Sequence, residues 1–199
     1  MNAANKKDGF FKTSHDKKFL PVLLPAALGI VVYINALSNG FVFDDMATIV
    51  HNAHIKDLGK NFQALFNLDY FKIAQSEFSY RPIATLSYFL IYAFFGLNPL
   101  AFHLASLLLH IFNVIGVYVL VDMIQHNKKT SLIAALVFAC HPVLTEAVNC
   151  ISYNEDLLAT FFYLLALMLY IKAAATKNPS GLLLYVFSLA AFLVALLAT

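Results

Sequence analysis

Long apolar runs alternate with short polar segments along this chain. Four runs of about the length of a membrane span lie at 19–37, 100–124, 131–150 and 154–173, and a fifth lies at 181–199. An α-helix needs about 20 apolar residues to cross the hydrocarbon core of a bilayer. The pattern therefore predicts an all-α membrane protein with about five transmembrane helices.

The segment between the first two runs, 38–98, is mixed in polarity and ends in a shorter apolar stretch. That stretch, 83–96, reads IATLSYFLIYAFFG and is too short to span a membrane. We expect it to form a helix that lies at the membrane surface. Pro82 would stand in its first turn, where proline is tolerated.

The composition supports membrane insertion. Hydrophobic residues make up 61% of the 199 residues, and charged residues make up 12%. Soluble domains are about half apolar and about a quarter charged. An ordinary soluble domain is therefore excluded, and a multi-pass integral membrane protein is predicted.

The lysines predict the orientation of the spans, because cytoplasmic segments are enriched in lysine and arginine. With five spans, an N-terminal tail, 1–18, and two later connections carry nine lysines on one side: Lys6, Lys7, Lys12, Lys17, Lys18, Lys128, Lys129, Lys172 and Lys177. The tail is then cytoplasmic, and a membrane module follows at 19–199. The first loop, 38–98, and the second loop, 141–155, face the non-cytoplasmic side.

Asp44 and Asp45 form an acidic pair just beyond the first span, in the segment NGFVFDDM. Two adjacent carboxylates at a membrane are costly to desolvate and repel each other. A carboxylate there is a candidate general base for a hydroxyl acceptor. With Glu146, the pair is also a candidate site for a divalent cation. The alternative is an N-cap for a helix that begins near Met46.

Arg81 precedes Pro82 at the entry to the short surface helix. Its guanidinium is a rigid fork of donors that matches phosphate oxygens. At the depth of the membrane interface, Arg81 is a candidate ligand for a lipid phosphate. The alternative is a side chain that extends to ordinary head groups.

The second loop carries polar residues at its start and its end. His141 and Glu146 lie in the segment HPVLTEAV, and both are candidate supporting residues of a site. Asn154, Glu155 and Asp156 follow at the start of the fourth span. They suit a helix N-terminus, where acceptors and negative charge are favoured.

The second span contains three polar residues, His103, His110 and Asn113. The two histidines share a helix face, since they are seven residues apart. Ionisable side chains inside a membrane are functional candidates, so both histidines are supporting candidates for the site. The alternative is a pair of neutral histidines that hydrogen-bond to a neighbouring helix.

Cys140 and Cys150 are the two cysteines of the chain, and they flank the predicted second loop. A disulfide between them is conceivable, but the sequence fixes neither the compartment nor the geometry that a disulfide requires. An unpaired structural role is the preferred interpretation.

The order of these motifs resembles that of one known family. The matching segments are NGFVFDD, IVHNAHI, SYRPIATLSYFLIYAFFGLNPLAFH, HPVLTEAV and ISYNEDLLATFFYLLAL, and they run from about residue 19 to the end of the sequence. The chain resembles the N-terminal membrane module of the transmembrane and tetratricopeptide-repeat protein O-mannosyltransferases, including their prokaryotic relatives. More distantly, it is similar to other glycosyltransferases of the GT-C fold.

The resemblance implies an enzyme that transfers a sugar, with inversion, from a polyprenyl- or dolichyl-phosphate donor to a serine or threonine hydroxyl of a protein. The sugar implied is mannose, and the reaction takes place on the non-cytoplasmic face. The family's acidic motif maps onto Asp44 and Asp45, its RP motif onto Arg81, and its second-loop motif onto His141 and Glu146. A divalent cation is a candidate cofactor, and no nucleic-acid partner is implied.

The chain also departs from the family. Asn154 stands where relatives often have arginine, and such enzymes carry more spans and a repeat array. We therefore expect either a fragment or a degenerate remnant of such an enzyme, and in both cases a chain that is inactive on its own. Its membrane would be the prokaryotic cytoplasmic membrane, or the endoplasmic reticulum in a eukaryote. The alternative function is a non-catalytic membrane scaffold or a transporter subunit, which the polar line on the second span supports.

Overall fold

The computed structural model describes residues 20–56, 65–66 and 80–199. The regular elements within these ranges are helical, which confirms the predicted all-α membrane class. In chain order, the α-helices are α1 Leu20–Tyr33, α2 Pro82–Phe95, α3 Pro99–Gln125, α4 Lys128–Ala139, α5 Thr145–Asn149, α6 Asn154–Ala175 and α7 Ser180–Leu196. The shorter elements are 3-10 turns at Ile34–Ser38, Ala53–Lys56, Pro142–Leu144 and Ile151–Tyr153, and a π-helical turn at Met46–Val50.

Three helical segments of the described chain are long and apolar enough to cross a membrane: Pro21–Ser38, Pro99–Gln125 and Ile151–Ala175. A fourth is obtained if α4 and the following segment Pro142–Asn149 are counted as one bent span. Helix α7 has 17 residues and falls below the length of these spans. The predicted number of about five therefore becomes three or four by length and composition. The cytoplasmic tail, 1–18, lies outside the described residues, and the orientation stays a prediction.

The third predicted span, 131–150, is not one straight helix. Helix α4 ends at Ala139, and the chain bends by 47° before Pro142–Asn149. Pro142 has no backbone N–H and cannot extend the helix. The second loop therefore begins at a break in the helix and not at the end of a straight span.

Helix α2 is the short apolar helix predicted at 83–96. It has 14 residues, begins at Pro82 and ends at Phe95; the next residue, Gly96, has a φ of 61°, which glycine readily adopts. Its location at the membrane surface stays a prediction. Asn98 then starts α3 by accepting a hydrogen bond from the Leu100 N–H at 3.2 Å.

A hydrophobic cluster holds the described part of the first loop against the helices. Ile49 and Ile55 of that loop are fully buried in one cluster with Phe102 of α3 and Ile151. Deeper in the bundle, α1 packs against α3 and α4, and α6 packs along α7. The first loop therefore sits over the ends of α3 and α6, where the candidate residues lie.

Candidate active site

The structure separates Asp44 from Asp45, which the sequence left equivalent. Asp44 is exposed, whereas Asp45 is fully buried. Successive residues in a helical turn point about 100° apart, so neighbours can face opposite environments. Each carboxylate therefore has its own surroundings and its own role.

The Asp45 carboxylate is held by hydrogen bonds from both loops. Its Oδ1 accepts from the Ser152 N–H at 2.7 Å, from the Ser152 hydroxyl at 2.6 Å and from the Cys150 thiol at 3.6 Å. Its Oδ2 accepts from the Val42 N–H at 3.0 Å. A buried carboxylate is tolerated when donors of this kind satisfy it. Asp45 therefore connects the first loop to the beginning of α6.

The N-cap alternative does not describe Asp45. Asp45 immediately precedes the π-helical turn Met46–Val50, but its side chain makes no capping hydrogen bond to that turn. The side chain instead bonds to Val42, on its N-terminal side, and to Ser152, 107 residues away. The hydrogen bonds between Asp45 and Ser152 join residues that are distant in the sequence, so no local motif could predict them.

Asp44 borders an open cleft between the two loops, with a volume of about 810 Å³. We call it the Asp44 cleft; its lining residues are Asn39, Val42, Phe43, Asp44, Pro142, Val143, Thr145, Glu146, Asn149, Cys150 and Tyr153. Asp44 and Glu146 thus line the same cleft, and their role as site residues stays a prediction. The described lining residues contribute carboxylates, amides and aromatic rings, and none of them is cationic.

A hydrogen bond between the loops and an unfavourable backbone conformation at Phe43 shape the cleft. The Asn39 amide donates to Asn149 Oδ1 at 3.4 Å across the two loops. Phe43 has a φ of 45°, in the left-handed region that costs a residue with a side chain about 1 kcal/mol, and 88% of it is exposed. The backbone just before Asp44 is therefore held in an unfavourable conformation by its surroundings.

Arg81 lies outside the cleft lining and forms an ion pair with Glu155 in the first turn of α6. The Glu155 side chain is 6% exposed and that of Arg81 is 28% exposed. Arg81 is the sole arginine of the sequence. Sequence reasoning missed this pair, because the two residues are 74 positions apart and Glu155 already had a local explanation at the helix N-terminus.

The three predicted supporting histidines do not line the cleft. His103 and His110 are fully buried, with their Nε2 atoms 3.4 Å from the Gly40 carbonyl and 3.2 Å from the Ala139 carbonyl. His141 is exposed, and its Nδ1 accepts from the Val143 N–H at 3.3 Å. The His110 contact corresponds to the alternative of a neutral histidine that hydrogen-bonds to a neighbouring helix, whereas His103 contacts the first loop and His141 makes a local contact.

Asn113 follows the same pattern as the buried histidines. Its amide donates to the Leu157 carbonyl at 2.9 Å and joins α3 to α6. His103, His110 and Asn113 form the polar line on the second span that favoured a transporter subunit. Each of them makes one hydrogen bond to a backbone carbonyl. The Nδ1 atoms of both histidines and Asn113 Oδ1 are buried and make no hydrogen bond within the described residues.

Both cysteines are free thiols. Cys140 is exposed, and Cys150 is buried beside Asp45. Burial raises the pKa of the Cys150 thiol above its usual value, and the negative charge of Asp45 acts in the same direction. The preferred interpretation of unpaired cysteines agrees with this geometry.

Several curated proteins match most of the chain. Protein O-mannosyl-transferase TMTC3 of Mus musculus is 35% identical over 169 residues, which are 82% of this chain and 18% of the relative. Protein O-mannosyl-transferase tmtc2 of Xenopus laevis is 37% identical over 163 residues (79% and 19%), and TMTC2 of Homo sapiens is 36% identical over 164 residues (80% and 19%). The chain belongs to the TMTC family. It spans about a fifth of the length of these curated relatives.

No protein-family model matches the chain, and no solved structure matches it. The TMTC membership therefore rests on these sequence relatives. At Asn154, where the sequence resemblance led us to expect arginine, the side chain is buried at the start of α6, next to the ion pair of Glu155 with Arg81.

The candidate cation site of Asp44, Asp45 and Glu146 is not assembled. Among residues 20–56, 65–66 and 80–199, no group of three or more histidine, cysteine, aspartate or glutamate side chains is placed to hold a metal ion. Asp45 is withdrawn from such a site by its bonds to Ser152.

Proposed function

We propose that the chain is part of a protein O-mannosyltransferase that moves mannose from a polyprenyl- or dolichyl-phosphate donor to a serine or threonine hydroxyl on the non-cytoplasmic face. The family membership supports the reaction class. The single observation that carries the site is the exposed carboxylate of Asp44, which meets Glu146 in an open cleft. The longer protein that contains this segment would be the active enzyme.

Asp44 is the general base in this mechanism. The acceptor oxygen attacks the anomeric carbon of the sugar while Asp44 takes the hydroxyl proton. The bond from the anomeric carbon to the phosphate oxygen breaks, and its electron pair leaves with the lipid phosphate. A positioned base of this kind contributes about 10²-fold to 10⁴-fold to a rate.

Glu146 and the amides of Asn39 and Asn149 supply acceptors and donors for hydroxyl groups in the cleft. The aromatic rings of Phe43 and Tyr153 supply apolar surface beside them. A sugar ring has hydroxyl groups at its edge and C–H groups on its faces. The mixed lining of the Asp44 cleft therefore suits the transferred sugar and the acceptor side chain.

Arg81 is the cation for the departing lipid phosphate. Its ion pair with Glu155 orients the guanidinium at the start of α6. A guanidinium has five N–H donors, so one arginine can serve two anions. Donors that are already oriented stabilise developing negative charge without reorganisation.

Replacing Asp44 by Asn in the full-length protein tests the base. We expect sugar transfer to fall by roughly 10²-fold or more, because the amide cannot take a proton. Asp156→Asn is the matched control, since Asp156 is an exposed acid of α6 that does not line the Asp44 cleft. Normal turnover in the Asp44→Asn enzyme would end the assignment.

A further inference from the structure

We infer that Ser152 is a positioning residue for the proposed base and acts through Asp45. The turn from Cys150 to Glu155, which we call the 150–155 turn, then sets where Asp44 stands relative to Arg81. This inference rests on the proposed function. It assigns Asp45 to holding the site together and leaves the proton transfer to Asp44.

The first argument is the connection itself. Ser152 gives Asp45 Oδ1 two hydrogen bonds, from its backbone N–H at 2.7 Å and from its hydroxyl at 2.6 Å. Ser152 is 4% exposed and Asp45 is fully buried, so water does not compete for these bonds. Hydrogen bonds to a buried charge are about twice as strong as those between neutral groups.

The second argument is that Asp44 lies inside the turn that Asp45 closes. The Asp45 N–H donates to the Val42 carbonyl at 2.9 Å, and Asp45 Oδ2 accepts from the Val42 N–H at 3.0 Å. Phe43 lies between these two residues, and its backbone φ of 45° is in the left-handed region. If Asp45 loses its anchor, the strained turn can relax, and Asp44 moves with it.

The third argument is that the same turn holds helix α2. The Tyr88 hydroxyl lies 3.2 Å from the Ile151 carbonyl and 3.1 Å from the Ser152 carbonyl. Arg81, at the beginning of α2, pairs with Glu155. The 150–155 turn is therefore the common support of the proposed base and the proposed phosphate-binding arginine.

The alkylation rate of Cys150 is a measure of whether the hydrogen bonds between Asp45 and Ser152 are intact. Its thiol lies 3.6 Å from Asp45 Oδ1 and is buried, whereas Cys140 is exposed. Burial raises the pKa of the Cys150 thiol, which disfavours the reactive thiolate. Alkylation of Cys150 should therefore be slow while the connection holds, and Cys140 provides an internal standard for the reagent.

The experiment uses the full-length protein with Ser152→Ala and the matched control Ser188→Ala. Ser188 is 6% exposed and donates to the Ala166 carbonyl at 2.9 Å, between α6 and α7, away from the loops. N-ethylmaleimide labelling is followed residue by residue with mass spectrometry. We expect Ser152→Ala to raise the Cys150 labelling rate by about tenfold, since one hydrogen bond to a charged group is lost. Ser188→Ala should leave that rate unchanged.

Turnover is measured on the same proteins. We expect Ser152→Ala to lower kcat by roughly tenfold with little change in KM, because the base is misplaced while the cleft remains. Ser152→Thr, which keeps the hydroxyl, should recover most of the kcat. Unchanged Cys150 labelling or unchanged kcat in Ser152→Ala would overturn the inference.

Two aspartate variants separate this inference from the proposed function. Asp44→Asn should abolish transfer and leave Cys150 protected, whereas Asp45→Asn should lower transfer and expose Cys150. If Ser152→Ala is not recovered as a folded protein, Asp45→Asn takes its place. Cys150 labelling and turnover are then measured on Asp45→Asn to test the inference. Full activity in Asp44→Asn refutes the proposed base. Protected Cys150 in a folded Asp45→Asn protein refutes the positioning role of the 150–155 turn.

Discussion

The junction of the two loops and the hairpin of α6 and α7 are held together in different ways. At the junction, Asp45, Ser152, Arg81 and Glu155 join segments that are distant in sequence through buried charges and hydrogen bonds. In the hairpin, apolar side chains pack along two helices, with the Ser188 hydroxyl bonded to the other helix. Apolar packing in a membrane has no hydrophobic driving force between helices, since lipid is equally apolar. Directional contacts at the junction fix positions that packing alone would leave adjustable.

The largest expected effect is at the junction. Arg81→Ala removes the ion pair with the nearly buried Glu155, which should lower the free energy of unfolding by about 3 kcal/mol. Thermal unfolding of the purified protein in detergent measures it. Lys129→Ala is the control, because Lys129 is exposed on α4 and should change stability by less than about 0.5 kcal/mol. Equal melting temperatures for the two variants would show that the ion pair does not stabilise the junction.

An intermediate effect is expected at the turn of the hairpin. A Cβ added at Gly181 would stand 2.7 Å from the Thr176 carbonyl oxygen, a backbone atom that cannot rotate away. Gly181→Ala should therefore lower the free energy of unfolding by about 1 to 3 kcal/mol. Gly40→Ala in the first loop is the matched control, because no atom lies within 4 Å of its added Cβ. The same thermal measurement applies, and a stable Gly181→Ala protein would contradict the tight connection.

The smallest effect is expected inside the hairpin. Ser188→Ala removes the hydrogen bond to Ala166 and should cost about 0.6 kcal/mol, the average for such bonds between membrane helices. Transfer activity should not change. A loss of activity here comparable to that of Ser152→Ala would remove the distinction between the two regions.

The sequence was sufficient for the helices and insufficient for the junction. Apolar runs predicted the first, second and fourth spans, and Pro82 marked the start of α2. The bend after Ala139 was missed because the apolar run continues across Pro142 in composition, although proline cannot continue the helix. Hydrophobic periodicity reports which segments are apolar, and it is less informative about where they break.

The site was predicted as a set of residues and not as an arrangement. Asp44 and Glu146, predicted in different loops, line one cleft in the folded chain. Whether Asp44 or Asp45 is buried depends on Ser152, whose N–H and hydroxyl reach Asp45 only in the folded chain. Arg81 and Glu155 each had a local explanation, so their pairing had no signal in the sequence.

The bend in the third span has a consequence for how the protein is assembled in its membrane. At the bend, the Ala139 carbonyl receives its hydrogen bond from the His110 ring of α3. A carbonyl without a partner in hydrocarbon costs several kcal/mol. Since α3 is synthesised before α4, the donor is already in the bilayer when the bent segment arrives. The order of synthesis thus lets the bent segment enter the membrane beside the histidine that completes its hydrogen bonding.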